Sequence, residues 1–383
     1  MMTHFKLEDR HRAQRDAVRE FCESEVAPHV EEYERSGEFP REIVEAVGEA
    51  GFHGVPYPEE YGGAGRDYRS FAITVEELAR CWKLLAGTVS GASCLVGYPI
   101  AEFGDEWQKD EWLRGLATGA IVGALSMTEP EAGSDAAAME TTAERDGDEY
   151  VIDGHKVWTT NGAVADLVVV AARTGDTGTH DDISLIGIPN PTERDGFEVV
   201  RDIPCMEGEA AVESEIEYDG LRVPADNLIG EEGKGFRYIM EGLDIGRIGT
   251  AAQGVGVAQA AFEASRDFAD EREQFGEPIR ENQGVSFKVA DMAMEVESAR
   301  MLTLHAANER DRGERVTKEA AMAKTKATDV AMDAGVEAVQ IHGSRGYSKD
   351  YPVERYMRVA KGMQIYEGTN EVNRIVISNS LYE

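Results

Sequence analysis

The sequence predicts an α+β chain with a helical N-terminal domain, a middle antiparallel β-domain and a C-terminal four-helix bundle. Three features support this prediction: helical apolar periodicity before about residue 122, short alternating segments from about 123 to 228, and long helical periods from about 229 onward. Because strands and helices are grouped and do not alternate, the pattern favours α+β over a parallel α/β sheet. The 383 residues, 42% of them hydrophobic, suffice for two or three domains.

Residues 1–122 show the periodicity of amphipathic helices with one interruption. In RAQRDAVREFCESEVAPHVEEYE, the apolar residues that recur near the helical period are Ala17, Val18, Phe21, Cys22 and Val26. EIVEAVGEAGF and SFAITVEELARCWKLLAG show the same helical periodicity of apolar residues. YPEEYGGAG, from Tyr57 to Gly65, breaks the period, and its glycines predict a loop.

Residues 123–228 have the pattern of short strands. YVIDGHKVWTT alternates as a strand, and we interpret Asp153 and Gly154 as a turn within it. LVVVAAR, DISLIGIP, FEVVRDI and SEIEYDGLRVP follow, with turn residues between them. The short spacing favours antiparallel strands in a small barrel or sandwich over βαβ units.

Residues 229–383 return to the helical period in four long pieces. The third piece, KEAAMAKTKATDVAMDAGVEAVQIHG, is predicted to end at Gly343 as a C-cap. Four such helices predict a bundle. GVGVAQA, from Gly254 to Ala260, has two glycines of a dinucleotide fingerprint but lies inside a helical run, so it predicts close helix packing.

The charge balance is strongly acidic along the whole chain. There are 73 acidic residues against 39 basic, a formal net charge of −34. An excess of this size repels nucleic acid and anionic membrane surfaces. Our hypothesis is a halophilic, high-salt cytoplasm in which screening removes the self-repulsion. The alternative is an acidic surface that steers a basic partner.

Targeting and metal signals are weak. The start, MMTHFKLEDRHRAQRD, is too charged for a signal peptide, and apolar stretches such as Leu167–Arg173 are too short to span a bilayer. Four scattered cysteines without a CxxC pair predict reduced thiols. The eight histidines form no HExxH or paired set. We therefore expect a cytoplasmic protein without membrane insertion or a metal site.

Five motifs remain, and each alone has an ordinary structural explanation as a loop, a core residue or a helix cap. They are SMTEPEAGSD (126–135), VWTTNG (157–162), REQFGEPIRENQ (272–283), QIHGSRGYSKDYPVERYMR (340–358) and QIYEGTNEVNR (364–374). Together and in this order they resemble the acyl-CoA dehydrogenase family. GEFPREIVEAVGEAGFHGVPYPEEYGGAG (37–65) and FGDEWQKDEWL (103–113) agree with the same family pattern.

The resemblance implies bound FAD, an acyl-CoA substrate, an electron-transferring flavoprotein as acceptor and a homotetramer. It also implies site residues by position in the motifs. For FAD these are Leu125, Met127, Thr128, Gly133, Ser134, Trp158, Thr160, Arg272, Phe275, Gln283, Gln340, His342, Gly343, Ser344, Thr369 and Glu371. Within this set, Trp158 is expected against the flavin ring and Thr160 near flavin N5. For the substrate they are Ser134, Asp244, Arg247 and Gly368.

The resemblance implies that Glu367 is the catalytic base. The family reaction removes hydrogen from the α and β carbons of an acyl thioester, so it needs a carboxylate whose pKa is raised by burial. A branch of the family places its base on the helix that reads DIGR here, where this chain has Gly246. Gly368 lets the thioester approach the backbone, and Thr369 or Asn370 is expected to cap the last helix.

Three positions depart from the family pattern. Val359 replaces an expected acid, and IPCMEGEAAVESEI (203–216) replaces the usual Met-Gly-x-Arg segment. Near Ala86 the chain lacks the arginine of the glutaryl branch, which disfavours a dicarboxyl substrate. LDIGRIGTAAQ resembles short-chain members and favours a short or branched acyl group.

Other functions on the same fold stay open at this point. An acyl-CoA oxidase or another flavin oxidase differs in oxygen access, which the sequence does not reveal. A nitroalkane oxidase would carry Asp at the base position, and a flavin monooxygenase would lack this glutamate. A non-catalytic CoA-binding member is disfavoured because Glu367, Arg247, Thr160 and Arg272 are all present.

Overall fold

The computed structural model describes residues 7–382, so residues 1–6 and 383, at the ends of the predicted outer domains, lie outside the described residues. The helices are α1 Asp9–Phe21, α2 Val30–Ser36, α3 Arg41–Glu49, α4 Tyr68–Cys81, α5 Lys83–Gly91, α6 Gly97–Phe103, α7 Glu106–Gln108, α8 Arg114–Thr118, α9 Gly235–Glu271, α10 Gln283–Asp311, α11 Thr317–His342, α12 Val353–Met363 and α13 Asn370–Ser380. The strands are β1 Gly123–Ser126, β2 Thr142–Asp146, β3 Glu149–Thr160, β4 Leu167–Arg173, β5 Ile183–Pro189, β6 Phe197–Asp202, β7 Glu213–Pro224, β8 Glu273–Gln274 and β9 Glu277–Pro278. Helices, strands and helices follow in the predicted order.

The middle strands form one seven-stranded sheet. Its main path runs β1-β4-β2-β3-β7-β6, and β5 pairs with β4 off this path. Four of the six strand pairs in this sheet are antiparallel, as predicted, but β4 pairs in parallel with β1, from Gly123↔Leu167 to Ser126↔Val170, and with β2 at Thr142↔Arg173. The β1–β4 pair can be parallel because the whole β2–β3 hairpin lies in the connection between these two strands, and a connection of this length allows a crossover.

The interpretation of Asp153 and Gly154 as a turn is wrong. Strand β3 continues through both residues, and its pairing with β7 shifts register between Ile152 and Gly154, which is a bulge. Gly154 is required there because a Cβ at this position would lie 2.3 Å from the Thr141 Oγ1 atom. The β2–β3 hairpin turns instead at Gly147, where φ is 66°.

Strand β4 is buried on both faces, which explains its continuous apolar sequence. Leu167, Val169 and Ala171 point into one cluster with helical residues such as Ile100, Leu113 and Leu116. The alternate residues Val168, Val170 and Ala172 point into a second cluster, formed with side chains of the strands themselves. The period-two alternation of a strand therefore gives the sheet two separate cores.

The C-terminal helices pack through small residues. Helix α11 contacts α10, α12 and α13. A Cβ at Gly254 would lie 2.9 Å from the backbone of Ala327, and one at Gly256 would lie 2.2 Å from the Glu76 carbonyl oxygen. The prediction that GVGVAQA serves close helix packing is confirmed. The predicted C-cap is confirmed too, since α11 ends at Gly343 with a φ of 61°.

The backbone divides into two compact units that differ from the predicted three-part division. One unit contains residues 7–30, Asp67–Gly87 and Arg247 to residue 382; the other contains Glu31–Arg66 and Thr88–Gly246. The predicted bounds 1–122, 123–228 and 229–383 stay predictions. One helical stretch, Lys83–Phe103, is long and apolar enough to span a membrane, but 78% of its most apolar window is buried, as in a core helix.

Candidate active site

The loop between α12 and α13 carries the predicted base. Glu367 has a φ of 54° and Gly368 a φ of 83°, so two successive residues are left-handed. Glycine adopts this conformation without steric cost, whereas glutamate does so only where the surrounding structure holds it. Thr369 accepts the N–H of Val372 at 3.2 Å and caps α13, which confirms the predicted cap.

The Glu367 carboxylate has a buried oxygen that no described residue satisfies. Its Oε2 atom has no hydrogen-bond partner within residues 7–382, and neither does the buried Thr250 Oγ1 atom. Burial raises the pKa of Glu367 to about 7, and the charges of Lys324, Arg247 and Lys83 oppose this rise. A carboxylate with this pKa is divided between its acid and base forms near neutral pH, which suits proton transfer.

Arg247 holds the backbone of this loop. Its Nε–H donates to the Glu367 carbonyl oxygen at 3.4 Å, and the residue is buried on α9. Asp244, the other predicted substrate residue of this motif, lies three positions earlier on the same helix. The structure thus places a predicted substrate-binding arginine against the predicted base.

Lys324 makes a second contact with this loop, and no motif in the sequence predicted it. Its Nζ donates to the Gly368 carbonyl oxygen at 2.8 Å and to the Asn370 Oδ1 atom at 3.0 Å. The sequence does contain a sign that Lys324 is buried. Ala320, Ala321 and Ala327 lie on the same helical face as Lys324, and all three are small and apolar. A lysine among such residues is expected to be buried.

Three further polar side chains lie beside Glu367, and the sequence did not predict them. The Tyr366 hydroxyl donates to the Gln253 Oε1 atom at 3.0 Å. The Lys83 ammonium lies 5.0 Å from the centre of the Tyr366 ring. A Cβ at Gly87 would lie 3.5 Å from the Lys83 Nζ atom and 4.0 Å from the Gln253 Oε1 atom. Gly87 therefore leaves room for this polar group.

In the unit that contains the sheet, the TEPEAGSD loop follows β1. Leu125 and Met127 pack against the helical side of the core, and Thr128 accepts the Val157 N–H at 2.9 Å. Gly133 and Ser134 are exposed, and a Cβ at Gly133 would meet nothing within 4 Å. The tip of the loop is therefore open, and its role in FAD binding stays a prediction.

A buried ion pair anchors the root of this loop. Lys156 on β3 donates to the Met127 carbonyl oxygen and to the Glu129 Oε1 atom, both at 2.9 Å. Glu129 also accepts the N–H of Thr141 at 2.9 Å and its hydroxyl at 2.6 Å. Burial lowers the pKa of Lys156 to about 8, although the Glu129 charge raises it. The loop therefore depends on a desolvated pair that sequence reasoning did not identify.

The end of β3 presents Trp158 and Thr160 on the surface. Trp158 has a φ of 59° and is 53% exposed, so its indole is available to stack on a flat ligand. The Thr160 hydroxyl donates to the Glu213 carboxylate at 2.9 Å. A hydrogen bond donated from Thr160 to a flavin would require this contact to be exchanged. The roles predicted for both residues stay predictions.

The third group of predicted residues surrounds the start of α10 and the end of α11. Arg272 lines a cleft of about 390 Å³ with Phe268, Glu271, Glu273 and Arg345. The His342 ring stacks on Phe268 at 4.2 Å, which brings the predicted HisGlySer turn to the same cleft. Gln283, Gln340, Gly343 and Ser344 are exposed. The cleft combines two arginines, which can bind phosphate, with the carboxylates of Glu271 and Glu273, and its role in FAD binding stays a prediction.

Backbone strain marks three of the predicted residues. Five described non-glycine residues have a positive φ, and two of these are asparagines, which tolerate it. The other three are Trp158, Phe275 and Glu367, all predicted site residues. Strain of this kind persists where the fold over-determines a position, often at functional sites. Within residues 7–382, no three His, Cys, Asp or Glu side chains are grouped to hold a metal ion.

Comparisons with known proteins agree with this geometry. Family models of the acyl-CoA dehydrogenase N-terminal, middle and C-terminal domains match residues 8–120, 124–220 and 233–382. The chain is 44% identical to an acyl-CoA dehydrogenase of Bacillus subtilis (strain 168) over 368 residues, 96% of each protein. The solved butyryl-CoA dehydrogenase from Megasphaera elsdenii is 39% identical, with a TM-score of 0.96 over the whole of both chains.

A second solved structure has the same fold. It comes from work on the electron transferring flavoprotein of Acidaminococcus fermentans, and its chain is 43% identical with a TM-score of 0.96 over 99% of both chains. The three family models together span most of the chain. The relatives are well above 30% identical over nearly its full length, and both findings assign the chain to the same family. The chain belongs to the acyl-CoA dehydrogenase family, and it is an FAD-dependent oxidoreductase that acts on the CH–CH groups of acyl-CoA.

Proposed function

We propose that the enzyme converts a short acyl-CoA to the trans-2-enoyl-CoA, with Glu367 as the base that removes the α-proton. The observation that carries this proposal is the buried, unsatisfied Oε2 atom of Glu367 on a left-handed turn. Its pKa of about 7 means that the carboxylate is ionised from neutral pH upward. FAD, when bound, supplies the acceptor for the hydride that leaves the β-carbon.

The backbone around Glu367 supports the same mechanism. The carbonyl of Glu367 accepts from Arg247, and that of Gly368 accepts from Lys324 and Asn373. Among the described residues, the Glu367 N–H has no acceptor, so it is available to the thioester oxygen. A donor at that oxygen stabilises the negative charge that develops when the α-proton leaves.

The substrate and the electron acceptor follow from the relatives and the site together. The butyryl-CoA dehydrogenase neighbour and the polar Tyr366–Gln253 pair beside the base support a short acyl chain. The neighbour from work on an electron transferring flavoprotein supports such a protein as the acceptor. The exposed Phe275 supports burial in a homotetramer, as the family resemblance implies. A cytoplasmic, high-salt setting is part of this proposal.

The test is an anaerobic visible spectrum of the holoprotein in high salt, before and after addition of acyl-CoAs from four to sixteen carbons. We expect bleaching of the flavin band with the short members, and no bleaching in Glu367→Gln despite bound FAD. Retained reduction in this variant would show that Glu367 is not the base. Rapid peroxide formation without an acceptor would identify an oxidase instead.

A further inference from the structure

Lys324 is a buried ammonium in the middle of α11. The residue has no exposed surface, and burial lowers its pKa to about 8. Lysine is rarely buried to this extent, since removal of its charge from water is costly unless a partner compensates. Its presence in a chain with only 11 lysines therefore needs a physical explanation.

The two fully buried lysines of the described chain differ in what compensates their charge. Lys156 has a carboxylate partner, Glu129, at 2.9 Å. Lys324 has no carboxylate oxygen within 4 Å among the described residues; it bonds the Gly368 carbonyl and the Asn370 side chain. The negative charge that acts on it most strongly is that of Glu367. Its compensation therefore comes from the active-site loop.

The contacts of Lys324 fix the Glu367–Gly368 turn to α11 from one side. Asn370, which receives one bond from Lys324, donates to the Thr328 hydroxyl at 3.0 Å and to the Asp329 carboxylate at 2.8 Å. Asn373 donates to the same Gly368 carbonyl at 2.8 Å. Displacement of the turn would break these bonds together, so the network holds the left-handed backbone in place.

The charged and polar groups that act on the two residues come from several helices. Those acting on Glu367 are Lys324 on α11, Arg247 and Thr250 on α9, and Lys83 on α5. Those acting on Lys324, besides Glu367, are Arg247 on α9, Asp329 on α11 and Glu371 on α13. Burial raises the pKa of Glu367, and Lys324 has the largest effect among the groups that lower it.

We propose that Lys324 is a positioning residue of the reaction: it fixes the Glu367–Gly368 turn through the Gly368 carbonyl and favours the ionised base. A neutral donor would hold the turn equally well, but only a charged one also stabilises the carboxylate. The inference rests on Glu367 being the base.

The test separates the hydrogen bond from the charge with two variants of the holoprotein. Lys324→Gln keeps a donor without the charge, and Lys324→Met removes both. Lys326→Met is the matched control, because Lys326 is on the same helix and pairs at the surface with Glu295. Infrared spectra across a pH series follow carboxyl ionisation, and the band that is absent in Glu367→Gln identifies Glu367.

We expect the Glu367 titration to move up by about one pH unit in both Lys324 variants and to stay in place in Lys326→Met. At pH 7 we expect flavin reduction by butyryl-CoA to slow about 100-fold in Lys324→Met, with a smaller loss in Lys324→Gln, because misplacement of a catalytic group has effects of this size. The loss in Lys324→Gln should recover at higher pH.

An unmoved Glu367 titration in folded, FAD-loaded variants would overturn the proposal. Failure of both Lys324 variants to fold would overturn it too, in favour of a purely structural lysine. The infrared titration needs no turnover. A shifted titration in an enzyme whose flavin no acyl-CoA reduces would therefore refute the proposed function and leave the Lys324–Glu367 coupling standing.

Discussion

Arg247 on α9 donates its Nε–H to the main-chain carbonyl oxygen of Glu367 at 3.4 Å, across 120 residues of sequence. This contact is to the backbone, so the guanidinium supports the position of Glu367, the proposed base. Its charge still lowers the pKa of Glu367. Arg247 therefore acts on both the geometry and the ionisation of the base.

Replacement of Arg247 separates these two effects. Arg247→Lys keeps the charge but loses the planar guanidinium, whereas Arg247→Met loses both. We expect both variants to slow flavin reduction by butyryl-CoA by at least tenfold, and only Arg247→Met to move the pH profile upward. Stopped-flow reduction from pH 6 to 9 measures this. An identical profile in the two variants would show that the charge has no role.

The ionisation of Glu367 predicts opposite pH effects on activity and stability. The pKa of about 7 lies above the ordinary 4.5, so the folded protein favours the protonated form. The contribution of Glu367 to the free energy of unfolding is fully present below pH 4.5 and is lost as the pH rises through 7. Activity is expected to rise over the same pH range. Glu367→Gln should therefore be more stable than the parent at pH 8, by on the order of 3 kcal/mol, and within about 1 kcal/mol of it at pH 5.

Thermal unfolding of both proteins at pH 5 and pH 8, in the same salt and with FAD bound, checks this expectation. Thr160→Ala serves as a control, because it alters a hydroxyl elsewhere in the predicted site without removing an acid. A stability difference that is the same at both pH values would contradict the raised pKa.

Replacement of Gly368 by alanine is expected to reduce activity by more than backbone strain alone explains. Gly368 has a φ of 83°, and a Cβ there would lie 3.4 Å from the Asn373 Nδ2 atom that bonds the turn. Gly313 has a similar φ of 79° and open space around it, far along the chain after α10. Gly368→Ala and Gly313→Ala should each lose about 1 kcal/mol of stability. Only Gly368→Ala should lose flavin reduction; equal activity in the two would refute the prediction.

The Lys156–Glu129 pair predicts a linked loss of stability and FAD. Glu129→Gln leaves the Lys156 ammonium without its charge partner in a buried site, which costs about 3–5 kcal/mol. Glu295→Gln breaks the surface pair with Lys326 and should cost less than about 1 kcal/mol. Because Lys156 also bonds the Met127 carbonyl, we expect Glu129→Gln to release FAD on gel filtration, and Glu295→Gln to keep it. Full FAD retention in a destabilised Glu129→Gln would separate the pair from cofactor binding.

The net charge of −34 predicts a strong dependence of stability on salt. Self-repulsion destabilises the folded chain in dilute buffer, and counter-ions screen it. We expect the unfolding temperature to rise steadily with KCl up to molar concentrations, and to change much less with the same osmolality of sucrose. Full stability in dilute buffer would exclude the high-salt hypothesis.

Local sequence decided the helices and their ends, and the family resemblance predicted the base. Gly343 and Thr369 were predictable as caps because capping depends on neighbouring residues alone. The glycines of GVGVAQA were predictable as packing positions because the helical period places them on one face. Glu367 was predictable because the resemblance extends over several motifs in order, which ordinary loop acids lack.

Tertiary structure decided what depends on burial and on distant partners. Gly154 is required in β3 because Thr141, which directly precedes β2, approaches it, and no local pattern contains that contact. Lys156 and Lys324 became part of the site only when folding removed them from water and placed them against loop carbonyls. The pKa of Glu367 follows from the same burial. The sequence by itself therefore determined which residue is the candidate base, and the packing around it determined how that residue is held and when it is charged.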